Sequence, residues 1–326
     1  MIETALTRMF GIEAPIIMGG MTGVGYAPLV SAVANAGALG FLTAHHFETG
    51  KALVDEIRAC RSRTDRPFGV NLTLLPSFNP IPYEEYCEAI VESGIDIVET
   101  AGRSPADYLP YLKSKGVKVI HKCTSVRHAV SAERLGVDAI SIDGFECAGH
   151  PGEDDVGLIV LLPATVDAVD IPVIASGGMA DGRSLAAALA LGAEGINMGT
   201  RFMATRESGV HLNVKQHIVS SSECDTTLIN RTLRNTSRVA RNDVSLEVEA
   251  IQRNTELGIE AVKDLVSGVR GRARALVGGD VHGGVWAVGQ SQGLIRDLPD
   301  CRTLVQSIMA EASDVIRRGQ LRISGA

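Results

Sequence analysis

Eight short apolar segments alternate with helical segments through the first two hundred residues of this chain. The strands are expected at 15–18, 39–43, 68–74, 95–100, 118–123, 139–143, 172–176 and 195–198. Helical patterns fall between them, at 26–36, 83–93, 105–115, 125–135 and 183–191, and these stop at Gly37, Gly94, Gly116, Gly136 and Gly192. Glycine is the residue that most easily takes the left-handed conformation that ends a helix. Apolar strands separated by helices indicate a parallel sheet covered by helices. Eight such units in succession match an α/β fold of the (β/α)8 TIM-barrel type better than an open doubly wound sheet. An open sheet also calls for a Gly-x-Gly-x-x-Gly turn after its first strand. Here the first strand runs into Gly19-Gly20-Met21-Thr22-Gly23-Val24-Gly25, which is glycine-rich but differently spaced.

The rhythm changes after about Arg206. Residues 1–207 are expected to form the barrel. Residues 208–290 are read as a smaller, mainly helical cap with helices at 244–254 and 258–266 and a glycine-rich stretch at 278–284. Residues 291–326 are read as a C-terminal segment whose amphipathic part, 304–318, returns to the barrel. The 326 residues are 45% hydrophobic, enough for a full core, and the net charge is −7 with no long basic run. That balance argues against a nucleic-acid-binding surface. The arginines between Arg231 and Arg241 read as a solvated face ahead of an anion-attracting patch. Six scattered cysteines form no Cys-x-x-Cys pair, so no metal site is expected. The start of the chain lacks the pattern of a signal peptide. The most apolar run, 157–169, is interrupted by Pro163 and Asp167 and is too short to span a bilayer. A cytoplasmic protein without membrane insertion is expected.

Chemistry concentrates at the strand ends. The sixth strand closes on Asp143, and the loop from Gly144 to Asp155 delivers His150, a side chain that titrates near neutral pH. The seventh strand ends in Ser176-Gly177-Gly178 and the eighth in Met198-Gly199-Thr200, each ahead of a helix. In a barrel, those two loops are the commonest phosphate site, because glycine lets the backbone approach and free N–H groups hold the anion. The phosphate may belong to a flavin, a nucleotide or a sugar phosphate. Gly20, Met21 and Thr22 end the first strand, Asn71 and Thr73 the third, Lys122 the fifth and Asp143 the sixth, offering donors and acceptors to the polar edge of a flat ring. A lysine there would stabilise an anionic reduced flavin; a salt bridge from Lys122 to Asp143 or Glu99 explains it equally well. Asp143 positions His150, touches the ligand or caps its loop. His45 and His46 are adjacent, so they do not chelate one ion easily. His282 is a candidate to approach the site from the cap.

The runs Gly19-Gly20-Met21, Asn71 to Pro76, His121 to His128, Asp143 to Asp155, Ser176 to Arg183 and Asn197 to Phe202, with Trp286, Gly289-Gln290 and Gly293-Leu294-Ile295, make this chain resemble the nitronate monooxygenase (2-nitropropane dioxygenase) family. The likeness is greatest to its NADH:quinone reductase branch. The resemblance implies a non-covalent FMN with its phosphate at Gly177, Gly178, Gly199 and Thr200. Its ring would lie near Gly20, Met21, Thr73 and Lys122, with Thr22, Asn71, Asp143, Gly149 and Ser176 completing the set. The family's active-site histidine maps onto His150. The activity implied is oxidation of nitronates or nitroalkanes with O2 to a carbonyl compound and nitrite. Equally open is NADH:quinone oxidoreduction on the same FMN, with NADH as co-substrate. FMN-dependent enoyl-thioester reduction, a flavin-free phosphate-binding barrel enzyme using Cys147, and a non-catalytic flavin carrier are the further alternatives. His150 would act as a base on a neutral nitroalkane or as a hydrogen-bond donor to a nitronate or quinone. Thr22-Gly23 replaces a larger Gln-Trp pair of the quinone reductase branch, which reshapes the substrate pocket. A small-molecule substrate is expected, and the chain is a monomer or a homodimer.

Overall fold

A computed structural model describes residues 2–74, 81–254 and 257–324. Leu75 and Pro76, part of the resemblance, lie outside the described residues. Eight parallel strands close into a barrel in sequence order: β1 (Ile16–Met18), β2 (Leu39–Thr43), β3 (Gly69–Leu74), β4 (Ile97–Gly102), β5 (Lys118–Cys123), β6 (Ala139–Asp143), β7 (Val173–Ser176) and β8 (Gly195–Asn197). Closure comes from β1 against β8, where Ile16 pairs with Ile196 and Ile17 with Asn197. The fourth strand sits two residues later than expected, because Ile95 still donates to Ile90 and completes the preceding turn.

Helix α1 (Ala5–Phe10) precedes the barrel. Outside it lie α2 (Ala27–Asn35), α3 (Gly50–Arg61), α4 (Tyr83–Glu92), α5 (Leu109–Ser114), α6 (Val126–Leu135), α7 (Leu158–Val166) and α8 (Gly182–Ala190). The Gly136 end of α6 takes the left-handed conformation anticipated from sequence, φ 96°. Leu6, Phe10 and Ile12 join Ile17, Leu39, Phe41, Ile97, Ile120, Ala139 and Ile174 in one buried cluster. The N-terminal end of the barrel is therefore plugged with apolar side chains, and the polar strand ends are left to the opposite mouth.

After the short α9 (Thr200–Met203) come α10 (Leu212–Ser220) and α11 (Asp243–Gln252). Between them lies a two-stranded antiparallel sheet, β9 (Thr226–Ile229) and β10 (Ser237–Ala240), which the helical reading of this region did not anticipate. The helix expected at 258–266 is reduced to a single 3-10 turn, Ile259–Ala261. Its apolar residues Val262, Leu265 and Val266 still pack on Ile229, Val239 and Val248, but from turns rather than from a continuous helix. A short α12 (Gly268–Gly271) continues into a π-helical turn, Arg272–Val277. The last helix, α13 (Cys301–Ser324), exceeds the expected 304–318 and packs against α8 and α2. No helix among the described residues is long and apolar enough to cross a membrane.

Candidate functional site

Just above the apolar plug, a buried carboxylate organises the mouth. Glu99 on β4 is fully buried, and its oxygens accept from the Gly20 N–H (2.8 Å), Asn71 Nδ2 (2.7 Å) and Asn197 Nδ2 (3.2 Å). Asn197 also accepts from the Gly19 N–H and donates to Ser141 Oγ, and Thr73 donates to Asn71 Oδ1. Strands β1, β3, β4, β6 and β8 are thereby tied by hydrogen bonds on one side-chain layer. Each partner offsets the cost of burying a charge. A Cβ on Gly20 would stand 2.2 Å from Asn71 Cγ, so only glycine lets the chain after β1 come this close.

Beside this layer, Lys122 Nζ lies 3.8 Å from Asp143 Oδ2. Burial alone would lower the lysine pKa, but the carboxylates of Asp143 and Glu99 outweigh it and hold Lys122 firmly protonated. Of the two salt bridges considered from sequence, Asp143 is the direct one. Asp143 Oδ1 is buried without a partner, an acceptor left open toward the mouth. Asp143 does not position His150; Asn235 bonds that imidazole instead. Cys147 is buried, and its thiol is pushed above the ordinary range, by burial first and by Asp143 next. A thiol so protonated is a poor nucleophile, which gives no support to a cysteine-dependent, flavin-free enzyme.

Ser176 is buried at the end of β7, and Gly177 and Gly178 follow at φ 90° and 75°. A Cβ on Gly177 would meet the Gly144 carbonyl oxygen at 2.9 Å. Gly199 precedes α9, and a Cβ there would touch Met21 Sδ at 3.4 Å, which places Met21 across from the eighth strand end. The N–H groups of Gly178, Gly199 and Thr200 find no acceptor among the described residues. The N-terminus of α8 is not part of this cradle, contrary to the simplest reading of the seventh loop. Asp181 caps it by accepting from Ser184 N–H, and Glu311 takes the Gly182 N–H. Thr200 Oγ1 accepts from the Gly289 N–H, and Gln290 N–H donates to the Glu146 carbonyl, so the Trp286–Gln290 segment ties the two loops.

The His150 loop is held by the β9–β10 sheet. Gly149 (φ 70°) and Arg238 exchange backbone hydrogen bonds at 3.0 and 2.6 Å. The buried Arg238 side chain donates to the Phe145 carbonyl and to Thr226 Oγ1, with its guanidinium 4.6 Å from the Phe145 ring centroid. Glu153 accepts from the Thr236 N–H and hydroxyl, and Arg231 pairs with Asp155 at 2.6 Å. The arginine-rich stretch is thus a set of loop clamps rather than a purely solvated face. One side of His150 is exposed, while the surrounding loops desolvate the rest. That desolvation lowers its pKa against the opposing pulls of Glu153 and the Asn235 hydrogen bond, which favours the neutral imidazole.

The structure thus brings Gly20, Met21, Asn71, Thr73, Lys122, Asp143, Ser176, Gly177, Gly178, Gly199 and Thr200 to one mouth, with Gly149 and His150 on the loop after β6. Thr22 is exposed in a turn and makes no side-chain hydrogen bond among the described residues. His45 and His46 lie on a 3-10 turn; His46 Nε2 accepts from the Gly23 N–H and its ring stacks on Tyr26. His282 stays at the surface, 3.2 Å from Asp243. Sequence reasoning missed Asn197, Ser141, Asn235 and Arg238, and treated Glu99 only as a partner for Lys122. A usable signal was present for Glu99: a carboxylate inside an apolar strand demands buried partners.

A family model described as nitronate monooxygenase matches residues 3–311. The chain is 34% identical to a (3aS,4S,5R,7aS)-5-hydroxy-7a-methyl-1-oxo-octahydro-1H-indene-4-carboxyl-CoA dehydrogenase of Rhodococcus jostii, over 95% of this chain and 96% of that protein. Among solved structures it superimposes on FabK from Thermotoga maritima with a TM-score of 0.90 and 35% identity, covering 98% and 99% of the two chains. It also superimposes on a nitroalkane oxidase from Streptomyces ansochromogenes with a TM-score of 0.83 and 28% identity, covering 97% and 99%.

Proposed function

The chain belongs to the nitronate monooxygenase family of oxidoreductases, and from that premise we propose that it is an FMN-dependent enzyme oxidising nitronates or nitroalkanes. The observation that carries this reading is the placement of His150 on the loop after β6, held by the Gly149–Arg238 backbone pairing at the same barrel end as the polar strand ends. The residues present fit FMN. At Gly177 a Cβ would meet the Gly144 carbonyl oxygen at 2.9 Å, Gly177 and Gly178 both hold a positive φ, and the N–H groups of Gly178, Gly199 and Thr200, without acceptors among the described residues, are open to a phosphate. The open Asp143 oxygen suits a hydroxyl donor. Lys122 supplies a permanent positive charge beside the place proposed for the ring.

When bound, FMN supplies the electron acceptor. The chain's own residues then do the remaining work. His150, neutral at Nδ1 or Nε2, accepts a proton from the carbon acid when a nitroalkane enters, and donates a hydrogen bond to the nitro oxygens when a nitronate enters. The Asn235 hydrogen bond fixes the direction of its ring. Gly149, through its backbone pairing with Arg238, sets the height of the histidine loop over the mouth.

A second reading is favoured by the relatives. The Rhodococcus protein is named as a dehydrogenase of a carboxyl-CoA compound. A thioester, like a nitro group, acidifies the neighbouring C–H, so the same neutral imidazole would serve an acyl-thioester oxidoreductase. The test is anaerobic mixing of the FMN-loaded protein with propionate 3-nitronate, with NADH and with a cyclic carboxyl-CoA thioester, each followed by flavin absorbance. Bleaching by the nitronate, with nitrite released in air, supports the first reading. Bleaching by the thioester alone replaces it with the second, and bleaching by NADH followed by quinone-dependent reoxidation replaces both. A protein that takes up no FMN overturns all three.

A further inference from the structure

Arg272 opens the π-helical turn and lies against the loop that follows β1. A Cβ on Gly23 (φ 84°) would stand 3.0 Å from Leu276 Cδ1 and 3.7 and 3.8 Å from Cγ and Cδ of Arg272. The arginine stem therefore lies within van der Waals reach of the Gly23 backbone, at the loop that follows β1. Its guanidinium carbon is 5.6 Å from the Tyr26 ring centroid, and Tyr26 stacks on His46 at 4.2 Å and 21°. This column is a fixed support, because His46 is locked by the Gly23 N–H. Arg272 is exposed and makes no hydrogen bond or ion pair with any described residue. Glu56, the carboxylate that acts on Tyr26, is engaged by the Ala27 N–H at 2.6 Å. Tyr26 Oη and His46 Nδ1 are buried in this column without partners among the described residues. Buried polar atoms in native proteins are seldom left unpaired, and a planar guanidinium with free donors is suited to bidentate capture of an oxyanion.

We infer that Arg272 and Tyr26 form an anion subsite at the barrel mouth, which holds a carboxylate or phosphate group carried by the organic substrate. The inference rests on the proposed function only in placing the substrate at this mouth. The guanidinium holds the anionic tail of the substrate while the reacting carbon faces His150.

The experiment is titration calorimetry on the FMN-loaded protein with 3-nitropropionate, with its uncharged analogue 1-nitropropane and with coenzyme A, comparing wild type, Arg272→Gln, Arg272→Lys and Tyr26→Phe. Arg272→Gln is expected to weaken 3-nitropropionate binding by about ten-fold or more and to leave 1-nitropropane unaffected. Arg272→Lys should retain part of the affinity, and Tyr26→Phe should lose a smaller part. In steady state, KM for propionate 3-nitronate should rise in Arg272→Gln with kcat little changed, while KM for ethyl nitronate stays constant. If wild type binds coenzyme A and not 3-nitropropionate, and Arg272→Gln loses that binding, the anion held is a phosphate and the subsite stands. Equal affinity of wild type and Arg272→Gln for every anion overturns the inference, as does failure of wild type to bind any of them. Arginine-dependent binding without nitronate turnover would leave the subsite intact and sink only the nitronate reading.

Discussion

Glu99 is the residue on which the mouth depends. Its three donors come from three other strand ends, and the carboxylate is fully buried. Glu99→Gln keeps the shape but turns an NH2 group toward groups that also donate. It should cost about 2 kcal/mol, the usual loss for a buried hydrogen bond to a charge. Urea unfolding tests this, and unchanged stability would show that the network is not satisfied by the carboxylate. At His150 the expectation concerns turnover. His150→Asn should slow substrate oxidation while FMN remains bound, and loss of FMN from that variant would contradict the assigned role. Desolvation lowers the His150 pKa and so favours the neutral form. Activity that uses that form should be flat above neutrality and fall only below the ordinary histidine range. A rate that rises on acidification from pH 7 would mean that the imidazolium is the active species.

The two glycine loops act as elements rather than as single residues. Gly177→Ala forces a side chain onto φ 90° and toward the Gly144 carbonyl oxygen, whereas Gly136→Ala places one at φ 96° in open space. Both should lose about 1 kcal/mol to left-handed strain. Only Gly177→Ala should also weaken FMN binding, by about ten-fold or more, because only there must the cradle shift. Equal FMN affinity in the two variants, measured by fluorescence titration, would remove the seventh loop from the phosphate site. Another element-scale joint lies where the barrel passes into α10. The buried Lys215 donates to the carbonyl oxygens of Thr205, Arg206 and Ser208. Lys215→Met keeps the aliphatic volume but strands those carbonyls, and should destabilise the protein by about 3 kcal/mol in chemical unfolding. A loss below the error of that measurement would show that water replaces the ammonium.

Across the whole molecule, buried histidines make stability sensitive to acid. Burial lowers His46 to about 3, and it lowers His121, which shares a 2.8 Å hydrogen bond with Thr100, to about 4. In the unfolded chain both titrate near the ordinary value of about 6.5. Their folded pKa values are depressed, so the unfolded state takes up protons first as the pH falls. Their contribution to stability is complete above pH 6.5 and is lost progressively below it, down to the folded values. At pH 5 each should have cost about 2 kcal/mol relative to pH 7.5. Guanidinium unfolding at the two pH values checks this, with His121→Gln as the variant expected to flatten the difference. Identical stability at pH 5 and 7.5 would mean that water reaches these rings.

The sequence by itself determined the barrel. Strand–helix alternation is local information, set by runs such as 139–142 and by glycines that stop helices, and neither needs the rest of the chain to be read. It also marked most of the mouth, because strand ends fall where the apolar pattern breaks, at Asn71, Lys122, Asp143 and Ser176. Tertiary structure alone decided which of those residues meet. Glu99, Asn197 and Ser141 share one layer through register across neighbouring strands, and register is not written in any single strand. Arg238 looked like surface charge and became a buried clamp, because its environment comes from Phe145, 93 residues away. The β9–β10 sheet was missed for a related reason: Thr226–Ile229 is half buried only because α11 covers it. Arg272 shows the same limit most sharply, since it lies beside Gly23 and over the Tyr26 ring, both far away along the chain.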